Sequence, residues 1–148
     1  MCAMPTKKDA EGSGGFSAAE KKAMRERAAE LKAAKKGEEA EKEVLARIAE
    51  MDAGDQRIAE GLHAVVKELI PDVACKTWYG FPAYLRGKDI VVFLQPAAKF
   101  QTRYATLGFN DAAALDDGDL WPSAYAITTW NDAVANDVRA LVKRAFGL

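Results

Sequence analysis

Three groups of side chains in this 148-residue chain have types and spacings that bear on chemistry. The densest acidic cluster is Asp116, Asp117 and Asp119. Three carboxylates within one turn offer oxygen ligands to a hard cation, and iron takes carboxylate and imidazole donors. The spacing lacks the alternating ligands and later bidentate Glu of a calcium loop. Asp-Gly sequences are also common turn formers, so an ordinary turn is the competing reading. The second group centres on His63, the sole histidine. It follows Leu62 among apolar neighbours, which points to a structural or interfacial ring. Its nearest sequence partners, Glu60 and Lys67, do not make a ligand set. The third group is aromatic and basic. Tyr79, Tyr84, Tyr104 and Trp121, with Trp78, join an apolar body to a polar handle. Lys99 and Arg103 add cationic donors. An anionic small molecule or a peptide carboxylate suits such a set. Packing beneath helices is the alternative use of these rings, above all for Trp78, Phe93 and Phe109.

Catalysis finds little support. No GxSxG, Cys–His pair, HExxH, P-loop or GxGxxG occurs, and Ser123 has no base indicated. The chain reads as a non-enzyme. With 21 basic and 22 acidic residues, its net charge of -1 gives no global attraction to nucleic acid or to an anionic membrane. Sheet aromatics beside Arg86, Lys88, Lys99 and Arg103 have the makings of single-strand stacking, but no binding-module motif accompanies them. Cys2 and Cys75 have neither zinc-site nor disulfide spacing. The N-terminus has no apolar signal core, and no stretch approaches the ~20 apolar residues that span a bilayer. The expected location is the cytoplasm.

The elements that position these groups follow from periodicity. Residues 1–16 are polar and Gly/Ser-containing, and read as a disordered tail. Ser17 and Glu20 have capping-box spacing at the head of a charged, solvated helix over residues 17–37. Gly37 is expected to break it. The remaining residues, 38–148, form the domain. A second helix runs from Glu38 to Met51, and a third, capped by Asp55, buries Ile58, Leu62, Val65, Val66 and Leu69. Pro71 ends it. The stretch Lys76–Leu85 is one strand, with Gly80 and Pro82 marking a bulge or edge. Arg86–Asp89 is a hairpin turn, Ile90–Leu94 a central strand, and Phe100–Phe109 a third strand. Asn110 caps one helical turn to Leu115. Ala124–Ile127 is a short fourth strand, and Thr128 or Thr129 caps a final helix. The fold class is α+β: a three- to four-stranded antiparallel sheet with two N-terminal core helices and one C-terminal helix.

The segment Trp78-Tyr79-Gly80-Phe81-Pro82-Ala83-Tyr84, the Gly87-Lys88 turn, the strand to Phe93 and Ala97-Ala98-Lys99-Phe100 leading to Leu107-Gly108-Phe109 together resemble the YdhG-like, or frataxin-like, family of small bacterial domains. The likeness covers roughly Glu43 to Phe146. Most such domains are of unknown function. One branch is described as an iron chaperone for Fe–S cluster and haem assembly, which is what the resemblance implies here. Family members often place a His shortly after the lysine of the third segment, whereas Lys99–Tyr104 contains none. Three functions remain open: an iron-handling binding domain, a small-molecule or peptide-binding module on the aromatic sheet, and a protein-interaction domain engaged by the charged first helix.

Overall fold

The computed structural model describes residues 17–148. The expected tail at residues 1–16 lies outside the described residues. The elements run α1 (Ala18–Ala49), α2 (Ala53–Leu69), β1 (Ala74–Trp78), β2 (Phe81–Arg86), β3 (Asp89–Gln95), β4 (Ala105–Phe109), β5 (Ala124–Ile127) and α3 (Asp132–Ala145). The class is α+β, as expected, but the antiparallel sheet has five strands, ordered β1-β2-β3-β4-β5.

The described residues fall into two units that part between Lys36 and Gly37. In the first, the capping box forms: Ser17 N donates to Glu20 Oε1 at 2.8 Å and Glu20 N to Ser17 Oγ at 3.1 Å. Every residue from Ser17 to Glu39 is exposed. The expected break at Gly37 does not occur, because α1 is continuous through it. A helical glycine costs only about 1 kcal/mol against alanine, and the flanking Lys, Glu and Ala are strong helix formers.

In the second unit, Val44 and Ile48 of α1, Ile58, Leu62, Val65 and Val66 of α2, and Val138 and Val142 of α3 share one core with the sheet. Strand register sorts the two sheet faces. Cys75 pairs with Tyr84, Tyr84 with Val92 and Val92 with Phe109, and all four belong to the helix-facing core. Trp78 pairs with Phe81, Ala83 with Phe93 and Phe93 with Gly108 on the opposite, outer face. Phe81 and Ala83 are buried there yet stand apart from the helix-facing core.

Several boundaries differ from expectation for identifiable reasons. The stretch expected as one bulged strand is a hairpin. Tyr79 (φ 52°) and Gly80 (φ 81°) form a two-residue loop with both residues left-handed, the turn that matches strand twist. Pro82 sits one residue before the β2–β3 ladder begins at Ala83, where a missing N–H costs no bond. The third strand starts only at Ala105, because residues 97–101 form a turn and Gln101 is left-handed (φ 57°). Asn110 closes a tight turn rather than a helix, accepting from Ala113 N at 2.9 Å. Asn131, not a threonine, caps α3 by accepting from Val134 N at 2.9 Å. Asp55 caps nothing, since α2 begins at Ala53 with Asp52 as N-cap. No helix among the described residues is long and apolar enough to cross a membrane.

Candidate functional site

The outer sheet face carries an open aromatic groove. Trp78 ends β1, Phe81 begins β2, and Phe93 lies beside them on β3. Centroid separations are 5.8 Å for Trp78–Phe81, 5.3 Å for Trp78–Phe93 and 5.6 Å for Phe81–Phe93. Tyr79 and Phe100 extend the cluster at 5.1 Å from Trp78 and 5.9 Å from Phe81. These spacings fall within the range in which aromatic rings attract through their quadrupoles. The groove encloses about 470 Å³, and Gln95 and Lys99 supply its polar margin. Tyr79 is 75% exposed and Phe100 40%, so the apolar surface meets solvent. A contiguous exposed aromatic patch is the kind of surface that marks a binding site.

The groove's shape depends on two glycines. A Cβ at Gly108 would collide with the Phe93 ring, which lies flat across β4. A Cβ at Gly80 would occupy the place of the Lys99 ammonium. Lys99 Nζ donates to the Tyr79 carbonyl at 3.0 Å, tying the 97–101 turn to the β1–β2 loop. The same turn is held from beneath. Asp55, 7% exposed, accepts from Ala97 N through Oδ1 and from Ala98 N through Oδ2, each at 3.0 Å. A buried carboxylate satisfied by two amides fixes the backbone that presents Lys99 and Phe100.

Of the sequence-predicted ligand residues, Trp78, Tyr79 and Lys99 come together. Tyr84 does not join them. It is fully buried on the helix-facing side, because it is odd-numbered from Ala83 and strand side chains alternate faces. Arg103 stacks over Tyr104 at 5.3 Å, and both line a separate shallow cavity with Asp52 and Ile58. Trp121 lies in the β4–β5 connection, outside the groove lining. Asp116, Asp117 and Asp119 are exposed in that same connection. Among the described residues no three His, Cys, Asp or Glu side chains gather as a metal-binding group.

Sequence reasoning missed a partly buried polar chain on the other face. His63 Nδ1 lies 2.9 Å from Tyr84 Oη, and His63 Nε2 lies 2.9 Å from Glu41 Oε2. Lys67 Nζ donates to Glu41 Oε1 at 3.2 Å. An ionised carboxylate only accepts, so in the neutral ring Nε2 carries the proton and Nδ1 accepts from the tyrosine hydroxyl. Burial pushes the Glu41 carboxyl up, but hydrogen bonds from His63 and Lys67, with the charges of both, outweigh it and hold the group below its ordinary value. Burial raises the Tyr84 phenol far above its usual range, helped by Cys75 and Glu41. Cys75, the cross-strand neighbour of Tyr84, has its thiol raised first by burial and then by Glu41, against an opposing effect of Lys67. A thiol held neutral is a poor nucleophile. The chain reads as a strut linking α1, α2 and β2. The partial signal in sequence was the i, i+4 spacing of His63 and Lys67, which places both on one face of α2.

No protein-family model, curated protein or solved structure matches the chain.

Proposed function

We propose that this protein is a non-catalytic binding domain that takes a small organic carboxylate with an aromatic or apolar body on the outer face of its sheet. The observation that carries this reading is the open groove of Trp78, Tyr79, Phe81, Phe93 and Phe100, with the Lys99 ammonium at its margin. The buried side chains of the three helices belong to the other face, so these rings are not simply the underside of a helix layer. Burying a ligand ring against them removes apolar area from water at roughly 25 cal/mol per Å². An ammonium has three donors, and Lys99 spends one on Tyr79. The groove supplies one cation and no carboxylate or imidazole to serve as a base, which favours binding over turnover.

The test is an amide-resolved NMR titration with 3-phenylpropionate, comparing the wild-type protein with Lys99→Met. Shifts should cluster at residues 78–81, 93 and 99–100, and the variant should bind more weakly. Absence of shifts there at millimolar ligand would overturn the proposal.

A further inference from the structure

A second cavity adjoins the groove, and its charges narrow the ligand class. It encloses about 510 Å³, and Lys99 lines both spaces. Arg47, Glu50, Asp52, Asp55 and Gly80 also line it. Most of these charges are already spent. Arg47 Nη1 pairs with Glu50 Oε1 at 3.3 Å. Both Asp55 oxygens accept the amides of Ala97 and Ala98.

Two charges remain. Lys99 has neutral partners only, the Tyr79 carbonyl and the Phe100 ring, whose centroid lies 5.8 Å from Nζ. Asp52 is the N-cap of α2, yet its side chain makes no capping hydrogen bond. A carboxylate at that position ordinarily accepts a backbone N–H of the first turn. Here it forms no ion pair among the described residues and stays free beside the cavity. One unspent anion and one unspent cation thus line one space, and the cation also borders an aromatic groove.

We infer that the ligand is zwitterionic, an aromatic amino acid or short peptide. Its ring lies in the groove, its carboxylate meets Lys99, and its ammonium meets Asp52. This rests on the binding reading above and adds the ammonium requirement. A cation and an anion lining one space favour a dipolar partner and penalise either singly charged analogue, because desolvating an unmatched charge costs affinity. Gly80 serves the same end. With no Cβ it leaves room for the ammonium of Lys99 at the junction of the two spaces.

Isothermal titration with phenylalanine, phenylalanyl-alanine, 3-phenylpropionate and phenethylamine, on the full chain and on Asp52→Asn, tests this. The Asp52 side chain makes no capping hydrogen bond to lose, so the variant should melt like the wild type. At least one zwitterion should bind about threefold or more tighter than either singly charged analogue, the scale of one exposed ion pair. Whether phenylalanine or the dipeptide binds better separates the two sources. Asp52→Asn should bring zwitterion affinity down to that of 3-phenylpropionate and leave the latter unchanged. If 3-phenylpropionate binds as well as the zwitterions, or Asp52→Asn changes nothing, the ammonium site is overturned while the carboxylate reading stands. If no compound binds, both fall.

Discussion

The Tyr84 hydroxyl lies 2.9 Å from His63 Nδ1, joining β2 to α2 at the edge of the apolar core to which the Tyr84 ring belongs. Tyr84 has no exposed surface, and a buried hydroxyl without a partner is costly. The imidazole satisfies it and passes the connection on to Glu41 of α1 through its other nitrogen. Tyr84→Phe keeps the ring and removes the O–H, leaving Nδ1 without a partner. It should lower unfolding free energy by about 1–2 kcal/mol, read from urea denaturation with an unchanged slope. Wild-type stability in Tyr84→Phe would show that the strut carries no weight.

Glu41 gives the stability a defined acid dependence. Its folded carboxyl lies below the ordinary value of 4.5, so folding favours the ionised form. That stabilisation is complete above the unfolded value and disappears as the pH falls through the depressed folded value. Glu41→Gln should therefore be less stable than wild type near neutrality. The gap should narrow steadily below pH 4.5. Thermal melts between neutral and strongly acidic pH check this, and a gap that stays constant across the range contradicts it.

At the alkaline end Tyr84 behaves in the opposite sense. Its folded value is raised, so stability is intact below the ordinary phenol value of 10.0 and erodes as the pH climbs above it. Ionisation of Tyr84, followed by phenolate absorbance and isolated by subtraction of the Tyr84→Phe titration, should coincide with loss of the native circular dichroism. The adjacent Cys75 thiol is also raised by burial. In a Cys2→Ser background it should react with a disulfide reagent only as the protein opens. Prompt native-state labelling would contradict the buried placement.

Asp55 shows how a site can be held by a residue that never touches the ligand. Its two oxygens hold the amides of Ala97 and Ala98, and the next two residues are Lys99 and Phe100. Asp55→Ala leaves both amides unpaired and should cost about 3 kcal/mol. Asp55→Asn retains one acceptor and should fall between. At temperatures where both variants remain folded, affinity for 3-phenylpropionate should drop in the same order. Equal affinity in all three proteins would separate the turn's geometry from binding.

Much of this architecture was legible because it rests on local rules. The Ser17–Glu20 capping box and the apolar spacing of Ile58, Leu62, Val65 and Val66 are local patterns, and both stand in the structure. The apolar run Ile90–Leu94 marked the strand that spans Asp89–Gln95. What escaped was set by distance in sequence or by competition between equal readings. His63 is 22 residues from Glu41 and 21 from Tyr84, the three lie on three elements, and no spacing rule joins them. Gly80 and Pro82 read as a bulge or an edge within one strand, and the pairing of Trp78 with Phe81 shows a tight turn instead. The candidate site was half legible for the same reason. Residue types pointed to Trp78, Tyr79 and Lys99, but strand alternation, fixed by register, turned Tyr84 to the other face.

Gly108 offers the sharpest separation of groove from fold. It sits in β4 opposite Phe93, and the ring lies where a Cβ would be. Phe93 is the rigid end of a short side chain, so Gly108→Ala must tilt the ring off the sheet. Phe93 also packs on Trp78 at 5.3 Å and on Phe81 at 5.6 Å, so the displacement passes to the groove's other walls. The helix-facing core does not include Phe93 or Gly108 and should stay intact. The substitution should therefore cost about 1–3 kcal/mol through overpacking, while far-ultraviolet dichroism is retained and near-ultraviolet aromatic dichroism changes. Affinity for 3-phenylpropionate should fall by more than in Lys99→Met, because the whole apolar surface is reshaped rather than one charge removed. Gly80→Ala is the contrasting case. Its obstacle is the flexible end of Lys99, which can swing aside, so the rings keep their places and the cost comes mainly from a left-handed backbone at φ 81°. If Gly108→Ala binds 3-phenylpropionate like wild type, the ligand does not rest on the Trp78–Phe81–Phe93 surface.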